Sequence, residues 1–152
     1  MRLSGRCKMT SECSENLQNN YRKLFVSKIE AHEDCVVCIP TCNQYETIYR
    51  GFGKTRLILE LSNKYNLPII AVTEAQAKHL KEEAYNLKFN NVRVLMLDRN
   101  MRGVLRPGEV VLVDEGMEML TCDCFAIDNN VYVVGFIWSL GGKRPHIHKI
   151  ML

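Results

Sequence analysis

The sequence predicts an α/β fold in which helices flank a mainly parallel β-sheet. Short apolar runs rich in β-branched residues alternate with segments that have the spacing of amphipathic helices. This alternation is typical of right-handed β-α-β crossovers, which place successive strands parallel to one another. Residues 68–73 are also apolar almost without interruption, as expected for a strand that is covered on both faces.

The composition is that of one soluble globular domain. With 152 residues, of which 47% are hydrophobic and 24% charged, the chain can bury a substantial core. Its net charge of +3 is too small to indicate nucleic-acid binding by itself. No apolar run approaches the roughly 18 residues of a transmembrane helix, and the N-terminus lacks the apolar core of a signal peptide. We therefore expect a cytoplasmic protein with no membrane partner.

The N-terminal region predicts an amphipathic helix that begins near Ser14, a residue suited to an N-cap. Its apolar residues recur at helical spacing and are Leu17, Tyr21, Leu24, Phe25 and Ile29. We expect this face to pack on the body of the protein, with a partner-binding helix as the alternative. We assign residues 1–43 to an N-terminal helical, Cys-rich extension and residues 44–152 to the main domain.

The remaining elements follow from apolar spacing and turn signals. Helices are predicted over residues 56–65 and 74–87, and strands over 68–73, 92–97, 110–115, 131–137 and, at one edge, 146–152. An Arg-rich loop spans residues 98–108, and a short loop or helix spans 116–124. An earlier strand has two candidates, residues 35–39 and 45–49. We favour 45–49 because it runs straight into the glycine-containing segment that follows.

Residues 51–55, with the sequence GFGKT, match the second half of the phosphate-binding pattern G-x-x-x-x-G-K-[ST], and Ile48 replaces its first glycine. The glycines let successive backbone N–H groups curve round a phosphate, Lys54 would neutralise its charge, and Thr55 would coordinate Mg²⁺. The helix that follows presents an N-terminus, which favours an anion. The predicted nucleotide-binding residues are Arg50, Gly51, Phe52, Gly53, Lys54 and Thr55.

A second motif lies 60 residues after Lys54, where the apolar run 110–113 leads into Asp114 and Glu115. This is the form of a Walker B segment. We expect Asp114 to hold Mg²⁺ together with Thr55, and we expect Glu115 and Lys54 to be the catalytic residues, Glu115 by polarising the attacking water. Two plainer interpretations stay open: a glycine turn with a solvated Lys54, and an acidic pair that caps a buried strand without metal.

Seven cysteines are many for a cytoplasmic protein, and three of them follow a histidine at short spacing. His32, Cys35, Cys38 and Cys42 form H-x2-C-x2-C-x3-C, in which Cys35 and Cys38 suit two thiolates that hold one Zn²⁺ in a turn. No second C-x2-C pair exists to complete the usual set of ligands. We favour free or partly buried thiols, with a zinc site and a redox pair as the alternatives.

Residues 49–55, 69–78 and 110–115 resemble, in that order, the Walker A loop, motif Ia and the Walker B segment of additional-strand P-loop ATPases with a RecA-like core. The nearest members are the ATPase core of phage large terminases and the first domain of superfamily 1 and 2 helicases. Terminases often lack the first glycine and carry an arginine in the loop, which Arg50 would supply. Type II thymidine kinases share the loop, the acidic pair and zinc cysteines, but their cysteines lie late in the chain.

The resemblance implies a minimal, single-domain ATP-binding protein with weak Mg²⁺-dependent ATPase activity, of viral or mobile-element type and associated with nucleic acid. It would act in the cytoplasm, that of the host if the protein is viral. Its partner would be nucleic acid, a second copy of the chain, or a protein that supplies an arginine finger. The alternative is a degenerate P-loop used for binding or assembly without hydrolysis. Lys54 and Glu115 favour hydrolysis, whereas Ile48 and the lack of a polar sensor other than Ser139 favour the alternative.

Overall fold

The computed structural model describes residues 11–40, 53–98, 101 and 103–139. These residues form five strands, which are β1 (Cys35–Pro40), β2 (Pro68–Ala71), β3 (Arg93–Met96), β4 (Val110–Glu118) and β5 (Tyr132–Ser139). They also form four helices, which are α1 (Ser11–Ala31), α2 (Lys54–Tyr65), α3 (Glu74–Asn86) and α4 (Met119–Asn129). The strands make one sheet in the order β1-β5-β4-β2-β3, and every neighbouring pair is parallel. The predicted α/β fold with a mainly parallel sheet is therefore confirmed.

Two helix boundaries show the capping residues that the sequence predicts. α2 ends at Asn66, which adopts a left-handed conformation with φ 54°, and its backbone N–H bonds to the Ser62 carbonyl. α3 begins after Thr73, whose hydroxyl accepts a 3.1 Å hydrogen bond from Gln76 N. The segment that was predicted as a short loop or helix divides in two: residues 116–118 continue β4, and α4 follows from Met119.

The N-terminal helix α1 packs on the sheet through its predicted apolar face. Tyr21, Phe25 and Ile29 are all buried. The rings of Tyr21 and Phe25 each meet Phe136 of β5 edge-on, with centroids 5.2 Å apart in both pairs. Three large side chains of α1 thus belong to the main core, and the predicted amphipathic helix is confirmed.

The sheet separates two apolar layers. One layer joins α1, α2 and α3 to the first face, with Leu57, Ile58 and Leu80 fully buried. The other joins α4 to the second face, where Phe125 and Cys122 pack against β4 and β5. With helices on both faces, β2 and the first four residues of β4, 110–113, are apolar and buried, which explains the uninterrupted apolar runs in the sequence.

β1 is the edge strand beside β5, and it corresponds to one of the two candidates that the sequence offered for an early strand. Residues 35–40 form β1, in register with β5 from Cys35 opposite Val134 to Pro40 opposite Ser139. Asp34 fixes this register, because its carboxylate accepts a 2.8 Å hydrogen bond from Val133 N. The segment that the sequence favoured, residues 45–49, lies outside the described residues, as does the predicted edge strand 146–152. β1 belongs to the same sheet, and α1 to the same core, as the elements after residue 53. The predicted boundary between the N-terminal extension and the main domain, at residues 43 and 44, lies outside the described residues.

Within the described parts of the chain, none of the helices is long and apolar enough to cross a lipid bilayer.

Candidate functional site

The site begins with the first residues of α2. Gly53 precedes the helix with φ 87°, a left-handed conformation that side chains with a Cβ rarely adopt. Its carbonyl accepts a 2.9 Å hydrogen bond from Leu57 N, which closes the first helical turn. Lys54 and Thr55 then lie at the N-terminus of α2, where N–H groups that have no partner within the helix and the helix dipole favour an anion.

The structure brings the two sequence motifs together. Thr55 Oγ1 donates a 2.9 Å hydrogen bond to Asp114 Oδ2, and Lys54 Nζ lies 3.8 Å from Glu115 Oε1. Both acids stand at the carboxyl end of the regular part of β4, where ligands bind in open parallel sheets. The two motifs therefore meet at one site, which contains Lys54, Thr55, Asp114 and Glu115.

Asp114 is the buried acid of the pair, whereas Glu115 is partly exposed. The Asp114 side chain is 6% exposed, and burial raises its pKa to about 6. The hydrogen bond from Thr55 opposes this rise, the charge of Glu115 adds to it, and the positive charges of Lys54 and His79 oppose it. A carboxylate in such surroundings is costly unless a cation or a donor approaches it.

One oxygen of this carboxylate lacks a partner. Asp114 Oδ1 is buried and makes no hydrogen bond to any of the described residues. Mg²⁺ takes oxygen ligands and is usually held by one or two carboxylates, with phosphate and water completing its shell. The free lone pairs of Asp114 Oδ1 and the hydroxyl of Thr55 fit that requirement. The described residues contain no group of three His, Cys, Asp or Glu side chains that could hold a metal without such exogenous ligands.

Glu115 owes its orientation to an irregular turn within β4. Regular pairing with β5 runs to Asp114, opposite Phe136, and is regained only at Glu118, opposite Trp138. Between them Glu115 and Gly116 both adopt positive φ, 53° and 87°. The predicted strand end at residue 115 is therefore wrong in detail: β4 continues to Glu118 through a bulge, and the bulge re-aims the Glu115 side chain.

Two glutamines complete the surroundings of the site, and the sequence analysis did not predict either. Gln76 of α3 donates from Nε2 to the Asp114 carbonyl at 2.6 Å. Gln18 of α1 donates from Nε2 to the Gly53 carbonyl at 3.1 Å. Thr73 and Gln76 do have the T-x-x-Q spacing of a capping box, but that signal predicts a local helix cap and not a contact with β4. Nothing in the sequence marks Gln18.

Gln18 is itself part of a polar link between α1 and α2. Arg22 pairs with both carboxylate oxygens of Glu60, at 2.6 and 2.9 Å, and donates to Gln18 Oε1 at 3.1 Å. It also contacts the amide oxygen of Asn19. The pairing with Glu60 is bidentate, which is the geometry that gives guanidinium-carboxylate pairs their directional specificity. The position of α1 is thereby tied to the first turns of α2.

The predicted zinc cluster is not assembled by the described residues. Cys35 and Cys38 lie three residues apart in a strand and not in a turn, so their side chains point to opposite faces of the sheet. Cys35 packs in the layer with α1, and burial raises its pKa to about 11, whereas Cys38 packs toward the α4 layer. His32 is exposed, with its ring 6.3 Å from that of Tyr132, and Cys42 lies outside the described residues. Cys35 and Cys38 therefore do not form the two-thiolate turn considered for zinc, because β-pairing with β5 spreads their side chains apart, and both are reduced thiols.

The remaining predicted site residues divide between described and undescribed parts of the chain. Gly53 is described, but Arg50, Gly51 and Phe52 of the loop are not. Ser139 is the last residue of β5. Comparisons of this chain with protein-family models, with curated proteins and with solved structures gave no match.

Proposed function

We propose that this chain is an ATP-binding protein of the additional-strand, RecA-like P-loop class, with weak Mg²⁺-dependent ATPase activity. The observation that carries the proposal is the 2.9 Å hydrogen bond between Thr55 and Asp114, beside the Lys54 and Glu115 pair. This hydrogen bond joins the N-terminus of α2, which follows Gly53, to the acidic end of β4. In P-loop proteins a helix N-terminus of this kind binds the nucleotide phosphates, and the acidic strand end holds the metal.

The strand order supports the class. β5 lies between β1, which leads toward the phosphate loop, and β4, which carries the acidic pair. A strand inserted at this place is the feature for which the additional-strand class is named. The first turns of α2 and α3 both lie at the same edge of the sheet, since Thr55 and Gln76 each donate a hydrogen bond to Asp114.

The proposed chemistry relies on position and charge. Lys54 and the backbone N–H groups at the start of α2 would bind the β- and γ-phosphates. Thr55 and Asp114 would hold Mg²⁺, which when bound neutralises charge that develops on the phosphate oxygens. Glu115 is 27% exposed, so its carboxylate can accept a hydrogen bond from water and orient it for attack.

We further propose that the isolated chain turns ATP over slowly. Phosphoryl transfer in P-loop enzymes is commonly accelerated by an arginine from a partner, an effect of about 10³-fold or more. A second copy, another protein or a nucleic-acid complex would supply or organise that group. A viral or mobile-element role near nucleic acid, in the cytoplasm, is the setting that the sequence resemblance favours.

The second candidate is a non-hydrolysing P-loop that serves as a binding or assembly module. One observation favours it: Lys54 is 7% exposed and its amine already lies beside Glu115, so each charge has a counter-ion without nucleotide. The replacement of the first loop glycine by Ile48 also favours it.

Phosphate release measured with and without Mg²⁺ separates the two candidates. We expect slow, Mg²⁺-dependent release from the native chain that Glu115→Gln abolishes while ATP still binds. Glu118→Gln is the matched control, because Glu118 is an exposed carboxylate on the same strand whose side chain caps no helix N–H. Binding without any release from the native chain would favour the assembly module, and release unchanged in Glu115→Gln would contradict the proposed mechanism.

A further inference from the structure

Gln76 joins two strands at the candidate site. Its Oε1 accepts a 2.8 Å hydrogen bond from Val72 N, just after β2, and its Nε2 donates at 2.6 Å to the carbonyl of Asp114 in β4. Its own backbone N–H is bonded to the Thr73 hydroxyl. Both ends of the side-chain amide are therefore used, and the amide can satisfy both partners in only one orientation.

The carbonyl that Gln76 holds belongs to the peptide between the two acids. Rotation of that peptide would change the direction in which Glu115 leaves the strand, since Asp114 ends the regular ladder with β5. Glu115 is also held at φ 53°, a left-handed conformation that residues with a Cβ rarely adopt. A conformation of this kind persists only where its surroundings fix it.

Gly116 packs closely against the same amide. A Cβ added at Gly116 would lie 3.3 Å from both Gln76 Nε2 and Gln76 Oε1, and the residue has φ 87°. The Gln76 side chain thus contacts the turn on both sides of Glu115: it bonds to the residue before and packs against the residue after.

We infer that Gln76 is a positioning residue that fixes the peptide turn carrying Glu115, and through it the carboxylate that would orient the attacking water. This inference rests on the proposed function. Gln76 acts through Asp114 O and Gly116, and it links the geometry of the acidic pair to the start of α3.

Two substitutions test the inference. Gln76→Met keeps the length and bulk of the side chain and removes both hydrogen bonds. Gln76→Glu keeps an acceptor for Val72 N–H and removes only the donor to Asp114 O. Lys81→Met is the matched control, because Lys81 is an exposed residue on the same helix. The measurements are the dissociation constant for MgATP, the steady-state rate of phosphate release, and hydrogen exchange of the backbone amides.

We expect both Gln76 variants to bind MgATP nearly as tightly as the native chain and to release phosphate about 10- to 100-fold more slowly, as displacement of a catalytic group by about 1 Å does in other enzymes. Amides of residues 114–117 should exchange faster in both variants, and the Val72 amide faster only in Gln76→Met. Lys81→Met should match the native chain in every measurement.

Three results would overturn the inference. One is native turnover and native exchange at residues 114–117 in both variants. Another is a native-like Gln76→Glu beside a slow Gln76→Met, which would assign the effect to the Val72 bond. The third is faster exchange throughout the sheet, which would indicate general destabilisation. If the native chain releases no phosphate, the proposed hydrolysis fails, and the exchange at residues 114–117 alone decides whether Gln76 holds the turn.

Discussion

Thr55 Oγ1 donates a 2.9 Å hydrogen bond to Asp114 Oδ2, across 59 residues of sequence. It connects the first turn of α2 to the end of the regular part of β4, and among the described residues no other hydrogen bond reaches the Asp114 carboxylate. The hydroxyl therefore stabilises a buried charge in the absence of metal, and it would share a cation with Asp114 when one is bound.

Replacement of Thr55 by Val should separate metal-dependent from metal-independent binding. The methyl group fills the space of the hydroxyl but leaves both Asp114 oxygens without a donor, so we expect a loss of about 1–3 kcal/mol in the free energy of unfolding. We also expect Mg²⁺ to stop strengthening ATP binding. Thr55→Ser, which keeps the hydroxyl, should retain the Mg²⁺ effect. Urea unfolding and ATP titration with and without Mg²⁺ provide the measurements, and a Mg²⁺ effect that survives in Thr55→Val would remove Thr55 from the metal site.

The stability of the metal-free protein should depend on pH through Asp114. Its pKa is about 6 when folded, against 3.8 for an ordinary aspartate, so the folded protein keeps a proton that the unfolded chain releases. The stabilising effect of that proton is complete below pH 3.8 and is lost as the pH rises through about 6. Asp114→Asn should abolish this decline and make the protein more stable at pH 8 by about 1–3 kcal/mol.

The control for this prediction is Asp128→Asn, since Asp128 is an exposed aspartate on α4. The unfolding free energy of Asp128→Asn should follow that of the native chain between about pH 4 and pH 8, the range that contains the loss of the Asp114 proton in the unfolded and the folded protein. Parallel curves for the native chain and Asp114→Asn would show that the Asp114 carboxylate is not desolvated in the folded protein.

Gly135 lets β5 lie against β4 next to Asp114. A Cβ at this position would overlap the carbonyl oxygen of Val113 and lie 2.9 Å from Val113 N, and φ is 145°. Because the obstructing atoms are backbone, Gly135→Ala should destabilise the protein by about 3 kcal/mol or more. Gly108→Ala is the matched control, since Gly108 has φ 82° and nothing within 4 Å of an added Cβ, so only the left-handed conformation is penalised, by about 1–2 kcal/mol. Equal losses in the two variants, measured by urea unfolding, would contradict the close approach.

The cysteines should differ in reactivity according to burial. Burial raises the pKa of Cys35 to about 11 and that of Cys122 to about 12, and both thiols are enclosed in the core. Cys124 is exposed. Under native conditions we expect a maleimide to label Cys124 within minutes and to label Cys35 and Cys122 only after unfolding, because the thiolate is the reactive form. Peptide mapping by mass spectrometry gives the order. Labelling of Cys35 or Cys122 as fast as that of Cys124 would show that these thiols are accessible.

The fold and the meeting of Lys54 with the acidic pair were predictable because both depend on regular features. Alternating elements impose a parallel sheet, and a parallel sheet gathers its strand ends at one edge. For the early strand the sequence favoured residues 45–49 over 35–39, because 45–49 runs straight into the glycine-containing segment; residues 35–40 form β1, and 45–49 lie outside the described residues. Val36 and Val37, which favour strands, were the signal for β1.

Other parts of the site were beyond sequence reasoning for a different reason. Gln18 and Gln76 act through hydrogen bonds to carbonyls of distant elements, Gly53 and Asp114, and those contacts exist only once α1 and α3 have docked. The left-handed conformation of Glu115 is likewise a tertiary effect, because an isolated glutamate disfavours it.

The measurement that tests the central claim most directly is a calorimetric titration of MgATP into the native chain, Lys54→Ala and Lys64→Ala. Lys54 is buried beside Glu115 at the start of α2, whereas Lys64 is an exposed lysine on the last turn of the same helix. The proposed site predicts binding to the native chain and to Lys64→Ala, and a dissociation constant about 10- to 100-fold higher for Lys54→Ala, the cost of one charge-assisted contact to phosphate. No binding to the native chain, or equal affinity for all three proteins, would contradict a nucleotide site at the meeting point of α2 and β4.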